Sequence, residues 1–406
     1  MAQLAIKGGK PVKGSIGAYA AWPVSTEEME RAAVEALDSG VWGTLGPKSA
    51  EFAEKYAEYT DCAYCLPVTN GTESLQVVLR ALEVGRGDEV IVPPYTFSGT
   101  IAAVIMCGAA PVFADIDPGT YNISPKDIER VITDKTKAII GVHLGGRPFD
   151  IDAVSKIAKE RGLFLIEDAA HAHGSMWRGK KAGSFGDAGS FSFQASKNLP
   201  GGEAGAVTTN DRGLYEKMWS IHNNGRGWGE RGYCHPFLGT NLRMGEWQAA
   251  VLLEGLKRLE ADIGTRMRNA AMLDEAFKDC PFLEVMEKSP NETKNSLHMY
   301  TFKYIKEGLG DIPRHKFIEA LAAENTCAPS SGYSLPIYDM HIFKGDEYKK
   351  ITGREFESPK AYMAENEKAA HEEGMWLYQS SLLGSAADTE AIIESVDKIY
   401  KNKDEL

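Results

Sequence analysis

The sequence predicts an α/β protein with a mostly parallel central sheet, helices on both faces of the sheet, and a smaller C-terminal α+β domain. From about Thr26 to Met272, short apolar runs alternate with helical patterns, which is typical of a doubly wound layer. The runs are apolar throughout instead of alternating, as expected of strands that are covered on both faces. From about Asp279 onward the pattern changes, and we expect the second domain to begin there.

Six runs are predicted as buried strands of the sheet, because each is short, apolar and non-alternating. In chain order they are Cys65–Val68, Glu89–Val92, Ala110–Ala114, Ala138–Val142, Leu163–Glu167 and Gly189–Phe193. In open sheets of this kind, ligands bind beyond the C-terminal ends of the strands. We therefore expect the functional side chains directly after these runs.

The remaining elements complete the two domains. A long helix rich in Ala, Leu, Glu and Arg follows the sheet, and the smaller domain is predicted to contain two strands and two helices. In chain order they are Met244–Phe277, Phe282–Met286, Met299–Ile305, Pro313–Glu324 and Asp388–Lys401. The predicted domains are residues 26–278 and 279–406, preceded by an N-terminal segment, residues 1–25.

Composition and charge argue against several classes of function. The 406 residues are 43% hydrophobic and 25% charged, as in a globular protein. The net charge of -12 disfavours nucleic-acid binding, which needs a dense basic face. No apolar run reaches the roughly 18 residues that suggest a membrane span, and the N-terminus lacks the apolar core of a secretory signal. We expect a cytoplasmic protein with no membrane partner.

A lysine follows the last predicted strand of the sheet. In Ser190–Asn198, Ser and Phe alternate and then lead to Lys197, and the glycines Gly201, Gly202 and Gly205 follow. A single lysine in a loop is usually just solvated. This one comes after a buried strand and before backbone that allows a bulky group to approach closely. Lys197 is therefore a candidate catalytic residue.

Two other strand ends carry polar groups. One strand leads into Asp168, whose carboxylate serves either catalysis or the capping of the next helix. The polar turn Thr69–Leu75 lies between a strand and an amphipathic helix, and its free N–H groups make a seat for an anion.

A lysine, a carboxylate and an anion seat at strand ends match what pyridoxal phosphate (PLP) requires. The lysine amine forms an imine with the cofactor and moves a proton between carbon atoms. A carboxylate opposite the pyridine nitrogen keeps that nitrogen protonated. The phosphate needs N–H groups and hydroxyls instead of a metal.

Longer stretches of the sequence resemble a known family. The stretch EDAAHAHGSMWRGKKAGSFGDAGSFSFQASKNLPGGEAGAV, from Glu167 to Val207, is similar to the core of the DegT/DnrJ/EryC1/StrS aminotransferases. The same resemblance extends to GTLGP (Gly43–Pro47), TNGTESL (Thr69–Leu75), PPYTFSGT (Pro93–Thr100) and GTNLRMGEWQAAVL (Gly239–Leu252). It implies a fold type I PLP-dependent transferase that acts on keto-sugars or keto-cyclitols by a ping-pong reaction.

The resemblance also implies roles for individual residues. Lys197 matches the Schiff-base lysine, and Asp168 matches the partner of the pyridine nitrogen. Gly71 and Thr72 match the phosphate-binding turn, and Ser192 matches a hydroxyl that contacts the phosphate.

Three further residues match positions at the edge of the cofactor. Phe97 matches an aromatic ring stacked on the pyridine, with an ordinary core residue as the alternative. His171 stands where many members have Gln near the phenolic oxygen, and a structural histidine is equally compatible. Asn241, beside Arg243, matches a residue that reaches the neighbouring subunit's phosphate, which implies a homodimer with shared active sites; a turn residue is the alternative. No metal is expected, because His171 and His173 lack an organised carboxylate partner.

The substrates follow from a branch of the family. The segments Pro329–Tyr333, Leu335–Tyr338 and Met375–Gly384 resemble glutamine:scyllo-inosose aminotransferases and aminohydroxybenzoate synthases. We therefore expect L-glutamine or L-glutamate as amino donor and a keto-cyclitol or keto-sugar as acceptor.

Three other functions are alternatives. They are a sugar-nucleotide aminotransferase, a PLP-dependent sugar dehydratase, in which a histidine replaces the Schiff-base lysine, and a PLP-binding sensor without turnover. Candidates for the donor carboxylate are Arg226, Arg231 and Arg243, by their chemistry only.

Overall fold

The computed structural model describes residues 3–14, 19–43, 46–230 and 233–406. Its helices are α1 (Glu27–Asp38), α2 (Pro47–Tyr59), α3 (Gly71–Ala81), α4 (Ser98–Met106), α5 (Pro125–Val131), α6 (Ile151–Arg161), α7 (Arg212–His222), α8 (Glu246–Phe277), α9 (Arg314–Ala323), α10 (Asp346–Thr352), α11 (Ala364–Lys368) and α12 (Ala386–Lys401). Its strands are β1 (Tyr64–Val68), β2 (Glu89–Val92), β3 (Ala110–Phe113), β4 (Thr136–Val142), β5 (Phe164–Asp168), β6 (Met176–Trp177), β7 (Lys180–Lys181), β8 (Ala188–Ser192), β9 (Gly205–Thr209), β10 (Leu283–Val285), β11 (Glu292–Lys294), β12 (Met299–Tyr304), β13 (Pro329–Ser330) and β14 (Gly374–Tyr378).

The central layer is a seven-stranded sheet in the order β1-β9-β8-β5-β4-β2-β3. The strands β3, β2, β4, β5 and β8 pair in parallel, whereas β9 is antiparallel to both of its neighbours. Parallel strands bring their C-terminal ends to one edge of a sheet, where ligands bind in this class of fold. The ends of β5 and β8, at Asp168 and Ser192, therefore lie on the same edge.

Helices cover both faces of this sheet because neighbouring strand residues point to opposite sides. On β4, Ile140 packs in a core with residues of α3 and α4, and Ile139 packs in a second core with residues of α6. This burial of both faces explains why the strand sequences are apolar throughout and do not alternate.

The six predicted strands all belong to the central sheet, and their ends differ from the prediction by at most two residues. The strand β9 was not among the predicted strands. Its sequence, Gly-Ala-Val-Thr-Thr, contains few large apolar residues, and it forms by pairing Gly205 with Ser192 as the chain returns from β8.

The C-terminal part of the chain contains a second sheet in the order β10-β12-β14-β13, with antiparallel pairs. Its core joins Phe302 and Leu377 to residues of α9 and α12, and it also includes Leu4 from the N-terminal segment. Another C-terminal stretch, residues 337–363, contributes Tyr338 and Phe343 to the core of the central sheet instead. The domain limits 26–278 and 279–406 stay a prediction.

Within the four described ranges, no helix is both long enough and apolar enough to cross a membrane.

Candidate active site

Asp168 is the last residue of β5 and lies in the middle of the central sheet. Its backbone is in register with Val142 of β4 and Ser190 of β8. The carboxylate is buried, and it accepts hydrogen bonds from Thr100 Oγ1 at 2.9 Å and from the Ala170 N–H at 3.2 Å. Burial raises the pKa of Asp168, and the hydrogen bonds from Thr100 and Ala170 oppose that rise.

Lys197 lies in the loop that leaves β8, five residues after Ser192. Its backbone N–H donates to Gln194 O at 2.8 Å, which forms a tight turn before the lysine. Burial lowers the pKa of the Lys197 amine to about 8, and the charge of Asp168 opposes this fall. The two predicted catalytic residues are thus brought together at neighbouring strand ends.

The predicted anion seat is the N-terminus of α3. Asn70 caps this helix, since its side chain accepts a hydrogen bond from the Glu73 N–H at 2.9 Å. Gly71 begins the helix next to Ser192, where an added β-carbon would lie only 2.7 Å from Ser192 Cβ. Gly205 of β9 approaches equally closely, since an added β-carbon would lie 2.4 Å from the Asn70 carbonyl carbon. The turn therefore leaves helix N–H groups beside a hydroxyl, as anion binding requires.

Phe97 and Thr72 meet on the other side of this seat. Phe97 directly precedes α4, and 61% of its side chain is exposed, an unusual fraction for a phenylalanine. An added β-carbon on Gly99 would lie 2.8 Å from Thr72 Oγ1 and 3.2 Å from a ring carbon of Phe97. The same helix carries Thr100, whose hydroxyl donates to Asp168, so α4 links the seat and the exposed ring to that carboxylate.

His171 is buried near the lysine. Its Nδ1 accepts a hydrogen bond from the Gly145 N–H at 3.3 Å, so a neutral ring carries its proton on Nε2. The ring packs against His298, with 4.4 Å between the ring centroids and 31° between the ring planes. Burial and the nearby charge of Lys197 hold the pKa of His171 well below its usual value, and the ring is therefore neutral.

His173 and His143 have different environments. The ring of His173 packs between Phe191 and Phe193, and neither of its nitrogens has a hydrogen-bond partner among the residues the structure describes. His143 Nε2 lies 3.0 Å from Glu167 Oε2, and both side chains are fully buried. In the described part of the chain, no group of three or more His, Cys, Asp or Glu side chains is placed to hold a metal ion.

Asn241 lies next to the edge strand β1, since Arg243 forms a bridge with Val68 and Asn241 forms one with Asn223. Its side chain is exposed, and the Arg243 N–H donates to its Oδ1 at 3.4 Å. The side chains of Arg243 and Arg226 both donate to Asn223 Oδ1, at 2.9 and 3.2 Å. The third candidate for the donor carboxylate, Arg231, lies outside the described residues, as do two residues of the predicted GTLGP motif.

Several residues at this site had no predicted role. Thr100 belongs to the PPYTFSGT motif. It lies one helical turn after Phe97, and this spacing could have indicated that the two side chains lie on the same face of the helix. His298 and Trp22 reach the surroundings of Lys197 from distant parts of the chain. No local pattern in the sequence indicates such contacts.

The profile of the DegT/DnrJ/EryC1/StrS aminotransferase family matches residues 23–368. The chain belongs to the DegT/DnrJ/EryC1/StrS aminotransferase family. This membership confirms the predicted family and the predicted class of enzyme, a PLP-dependent transaminase.

Relatives of this DegT/DnrJ/EryC1/StrS aminotransferase cover its full length. It is 34% identical over 432 residues to the L-glutamine:2-deoxy-scyllo-inosose aminotransferase of Streptomyces lividus, with 100% of each chain covered. It is 32% identical over 424 residues to the enzyme of the same name from Micromonospora echinospora, again with 100% of each chain covered.

A solved structure is similar throughout. The crystal structure of 3-amino-5-hydroxybenzoic acid (AHBA) synthase superposes with a TM-score of 0.84 at 30% sequence identity. The match covers 95% of this chain and 100% of that chain. The predicted fold class is thereby confirmed.

Proposed function

We propose that this aminotransferase binds PLP through Lys197 and transfers an amino group from L-glutamine or L-glutamate to a keto-cyclitol or keto-sugar. One observation carries the proposal. The amine of Lys197 and the carboxylate of Asp168 occur together at adjoining ends of β8 and β5; Asp168 is buried, Lys197 is half-buried, and burial shifts the pKa of both groups. Withdrawing a lysine and an aspartate from water is costly, and such pairs are typical of active sites.

The residues around this pair fit PLP. The N-terminus of α3, with Gly71, Thr72 and Ser192, would hold the phosphate. The exposed ring of Phe97 would cover one face of the pyridine, which explains why a large apolar side chain is open to solvent. His171, with its proton on Nε2, would donate a hydrogen bond to the phenolic oxygen.

PLP supplies an electron sink for the carbon atom from which a proton is removed. The protein residues would control where protons reside. A Lys197 amine with a pKa of about 8 is partly neutral near neutral pH and can therefore accept a proton, as a general base must. Asp168, as a buried carboxylate, would keep a proton on the pyridine nitrogen.

Thr100 would keep Asp168 ionised, and this gives a first prediction. Thr100→Val removes the hydroxyl that donates to Asp168 but keeps the shape of the side chain. A hydrogen bond to a charged group contributes about 1.5–3 kcal/mol, so kcat/KM should fall by roughly 10–100-fold. Steady-state kinetics with saturating PLP measure this effect.

Thr389→Val is the matched control for Thr100→Val. Thr389 is buried in α12, and its hydroxyl has no hydrogen-bond partner among the described residues. Its replacement should leave kcat/KM near the wild-type value. Equal rates for Thr100→Val and the wild type would contradict the role given to Thr100.

The substrates are proposed from the relatives and from the chain itself. Both relatives from Streptomyces lividus and Micromonospora echinospora are named for L-glutamine and a scyllo-inosose. In this chain, Tyr333 belongs to the segment Pro329–Tyr333, which resembles the same branch. Burial raises the pKa of its phenol, and the negative charge of Asp168 raises it further. Tyr95 and Trp376, which are both buried, pack on Tyr333 with ring centroids at 5.5 and 5.1 Å and hold its ring in place.

A homodimer with shared active sites is part of the proposal. Asn241 is exposed, and the same loop exposes 93% of Tyr233 and 87% of Leu238. Large apolar side chains grouped in this way mark interaction surfaces. A second copy of the chain would cover them and would bring Asn241 to the anion seat of its neighbour. A cytoplasmic location also remains proposed.

An absorption spectrum tests the proposed function. The purified protein, loaded with PLP, should show the visible band of lysine-bound PLP, and L-glutamine should convert it to the near-ultraviolet band of pyridoxamine phosphate. Adding a keto-cyclitol such as scyllo-inosose should restore the first band. D-glutamine is the control for the donor and should leave the spectrum unchanged.

Each other outcome contradicts a stated part of the proposal. A visible band that persists with a panel of L-amino acids would favour a sensor or a dehydratase. Restoration only by a nucleotide-linked keto-sugar would replace the proposed acceptor. No band with added PLP would contradict the role of Lys197.

A further inference from the structure

The loop that carries Lys197 is held by contacts on both sides of the lysine. Within the loop, the Gly201 N–H donates to Phe193 O at 2.7 Å. From outside it, Trp22 Nε1 donates to the carbonyl oxygen of Lys197 at 3.1 Å, and Asn198 Nδ2 donates to Ser296 O at 2.7 Å. The first of these outside contacts comes from the N-terminal segment, which belongs to neither predicted domain.

Trp22 is itself held by a residue of α8. The guanidinium of Arg266 lies over its ring, 5.4 Å from the centroid. Arg266 is fully buried, and its Nε and Nη2 donate to Gln379 Oε1 at 3.0 and 2.5 Å. Gln379 directly follows β14 of the second sheet. A chain of contacts therefore runs from the second sheet through Arg266 and Trp22 to the backbone of Lys197.

The side chain of Arg266, at the centre of this chain of contacts, is restrained. A buried guanidinium is costly unless its donors are satisfied. Arg266 Nη1 has no hydrogen-bond partner in the described part of the chain, and the Trp22 ring, Gln379 and the nearby charge of Asp262 stabilise the guanidinium. Loss of the Trp22 or the Gln379 contact would leave the charge more poorly stabilised, and the side chain is therefore restrained.

We infer that Trp22 is a positioning residue that sets the orientation of the Lys197 amine through the backbone carbonyl of Lys197. The inference rests on the proposed role of Lys197. A lysine side chain has four rotatable bonds, so its amine is placed accurately only if its backbone is fixed. The contact with Arg266 extends this control to the second sheet.

Such positioning would keep the pKa of the Lys197 amine low. Burial lowers this pKa to about 8, so a loop that moved outward would expose the amine and let the pKa rise toward the usual value of lysine. The half-buried carbonyl of Lys197 would also lose its donor, which weakens the restraint on the loop that contains it.

Trp22→Phe tests the inference, because it keeps an aromatic ring over Arg266 but removes the N–H donor. The first readout uses the full chain without PLP and needs no activity. The rate at which trinitrobenzenesulfonate labels Lys197, followed by peptide mass spectrometry as a function of pH, gives the pKa of the amine. We expect a midpoint near pH 8 in the wild type and a midpoint higher by about one unit in the variant.

The second readout is the dissociation constant of PLP. The loss of one hydrogen bond should raise it by about 3–10-fold in Trp22→Phe. Benzothienylalanine at position 22 is a second variant, because it keeps the two-ring shape of tryptophan and lacks only the N–H. It should shift both readouts in the same direction as Trp22→Phe. Because it keeps the size of tryptophan, it tests the loss of the N–H even if the smaller phenylalanine ring disturbs folding.

Trp177→Phe is the matched control. Trp177 is buried, and its Nε1 has no hydrogen-bond partner among the described residues, so its replacement removes ring volume without removing a bond. It should leave the labelling midpoint of Lys197 unchanged. A wild-type midpoint in both position 22 variants, or an equal shift in Trp177→Phe, would overturn the inference.

Failure of this inference is distinguishable from failure of the proposed function. Borohydride reduction of the wild-type protein with PLP, followed by peptide mapping, shows whether the cofactor is attached to Lys197. Attachment elsewhere would overturn the proposed function and the inference with it. Attachment at Lys197, with unchanged midpoints in the position 22 variants, would overturn the inference alone.

Discussion

Lys197→Ala should abolish transamination and leave the fold intact. General base catalysis contributes about 10²–10⁴-fold, and covalent attachment of the cofactor is lost as well, so kcat should fall by at least about 10³-fold. The fold should tolerate the change because the amine is a costly buried group whose removal relieves desolvation. Steady-state kinetics measure the fall in kcat, and thermal denaturation shows whether the fold is kept. The absorption spectrum with added PLP shows the loss of covalent attachment.

Lys180→Ala is the control for Lys197→Ala. Lys180 belongs to β7, outside the proposed site, and its amine donates to Ser184 O at 2.8 Å. This variant should keep both the visible band and the wild-type rate. Turnover within tenfold of the wild type in Lys197→Ala would contradict the mechanism.

The same variant tests whether active sites are shared. A chain with Lys197→Ala should be inactive alone, and a chain with Asn241→Ala should be weakly active alone. In a mixed dimer, one of the two sites would contain intact Lys197 and intact Asn241, so mixing the two proteins should restore part of the activity. No restoration, with mixed dimers detected by mass spectrometry, would contradict the proposed sharing of sites.

Asp168→Asn should bind PLP but lose most of its activity. The amide has nearly the same shape as the carboxylate and can still accept a hydrogen bond from Thr100. It carries no charge, however, and cannot hold a proton on the pyridine nitrogen. Each 1.36 kcal/mol of lost stabilisation lowers a rate tenfold, and the loss of a buried charge interaction should lower kcat by about 10²-fold or more.

Asp187→Asn is the control for Asp168→Asn. Asp187 is exposed beside the central sheet, and its Oδ2 accepts a hydrogen bond from the Leu165 N–H at 2.8 Å. Its replacement should lower the stability slightly and leave kcat unchanged. A near-normal rate in Asp168→Asn would remove this residue from its assigned role.

The sequence predicted the central sheet well because its strands are buried on both faces. Apolar runs such as Ala138–Val142 indicate such strands directly, and the rule for strand ends then selects Asp168 and Lys197 without further information. The strand β9 escaped prediction because its stability comes from pairing with β8 and β1 and not from its own apolar residues. The resemblance to the family, and not the pattern of residues, gave Ser192 and Phe97 their expected roles.

Contacts between distant segments were not predictable in the same way. The bond from Trp22 to Lys197 joins residues 175 positions apart in the chain, and the bond from Thr100 to Asp168 spans 68 positions. Local periodicity contains no information about such pairs. They depend on how the sheet, the N-terminal segment and α8 pack together, which only the folded chain establishes.

The long helix α8 has a consequence for how the protein unfolds. Its first half packs with Phe191 and Phe193 in the core beside β8, through Leu252 and Leu259. Its last turns, with Leu273, pack in the core of the second sheet. A helix melts cooperatively, so loss of one core weakens the other. We therefore expect a single calorimetric transition, and a chain cut between residues 278 and 279 should yield two fragments of which neither is stable by itself.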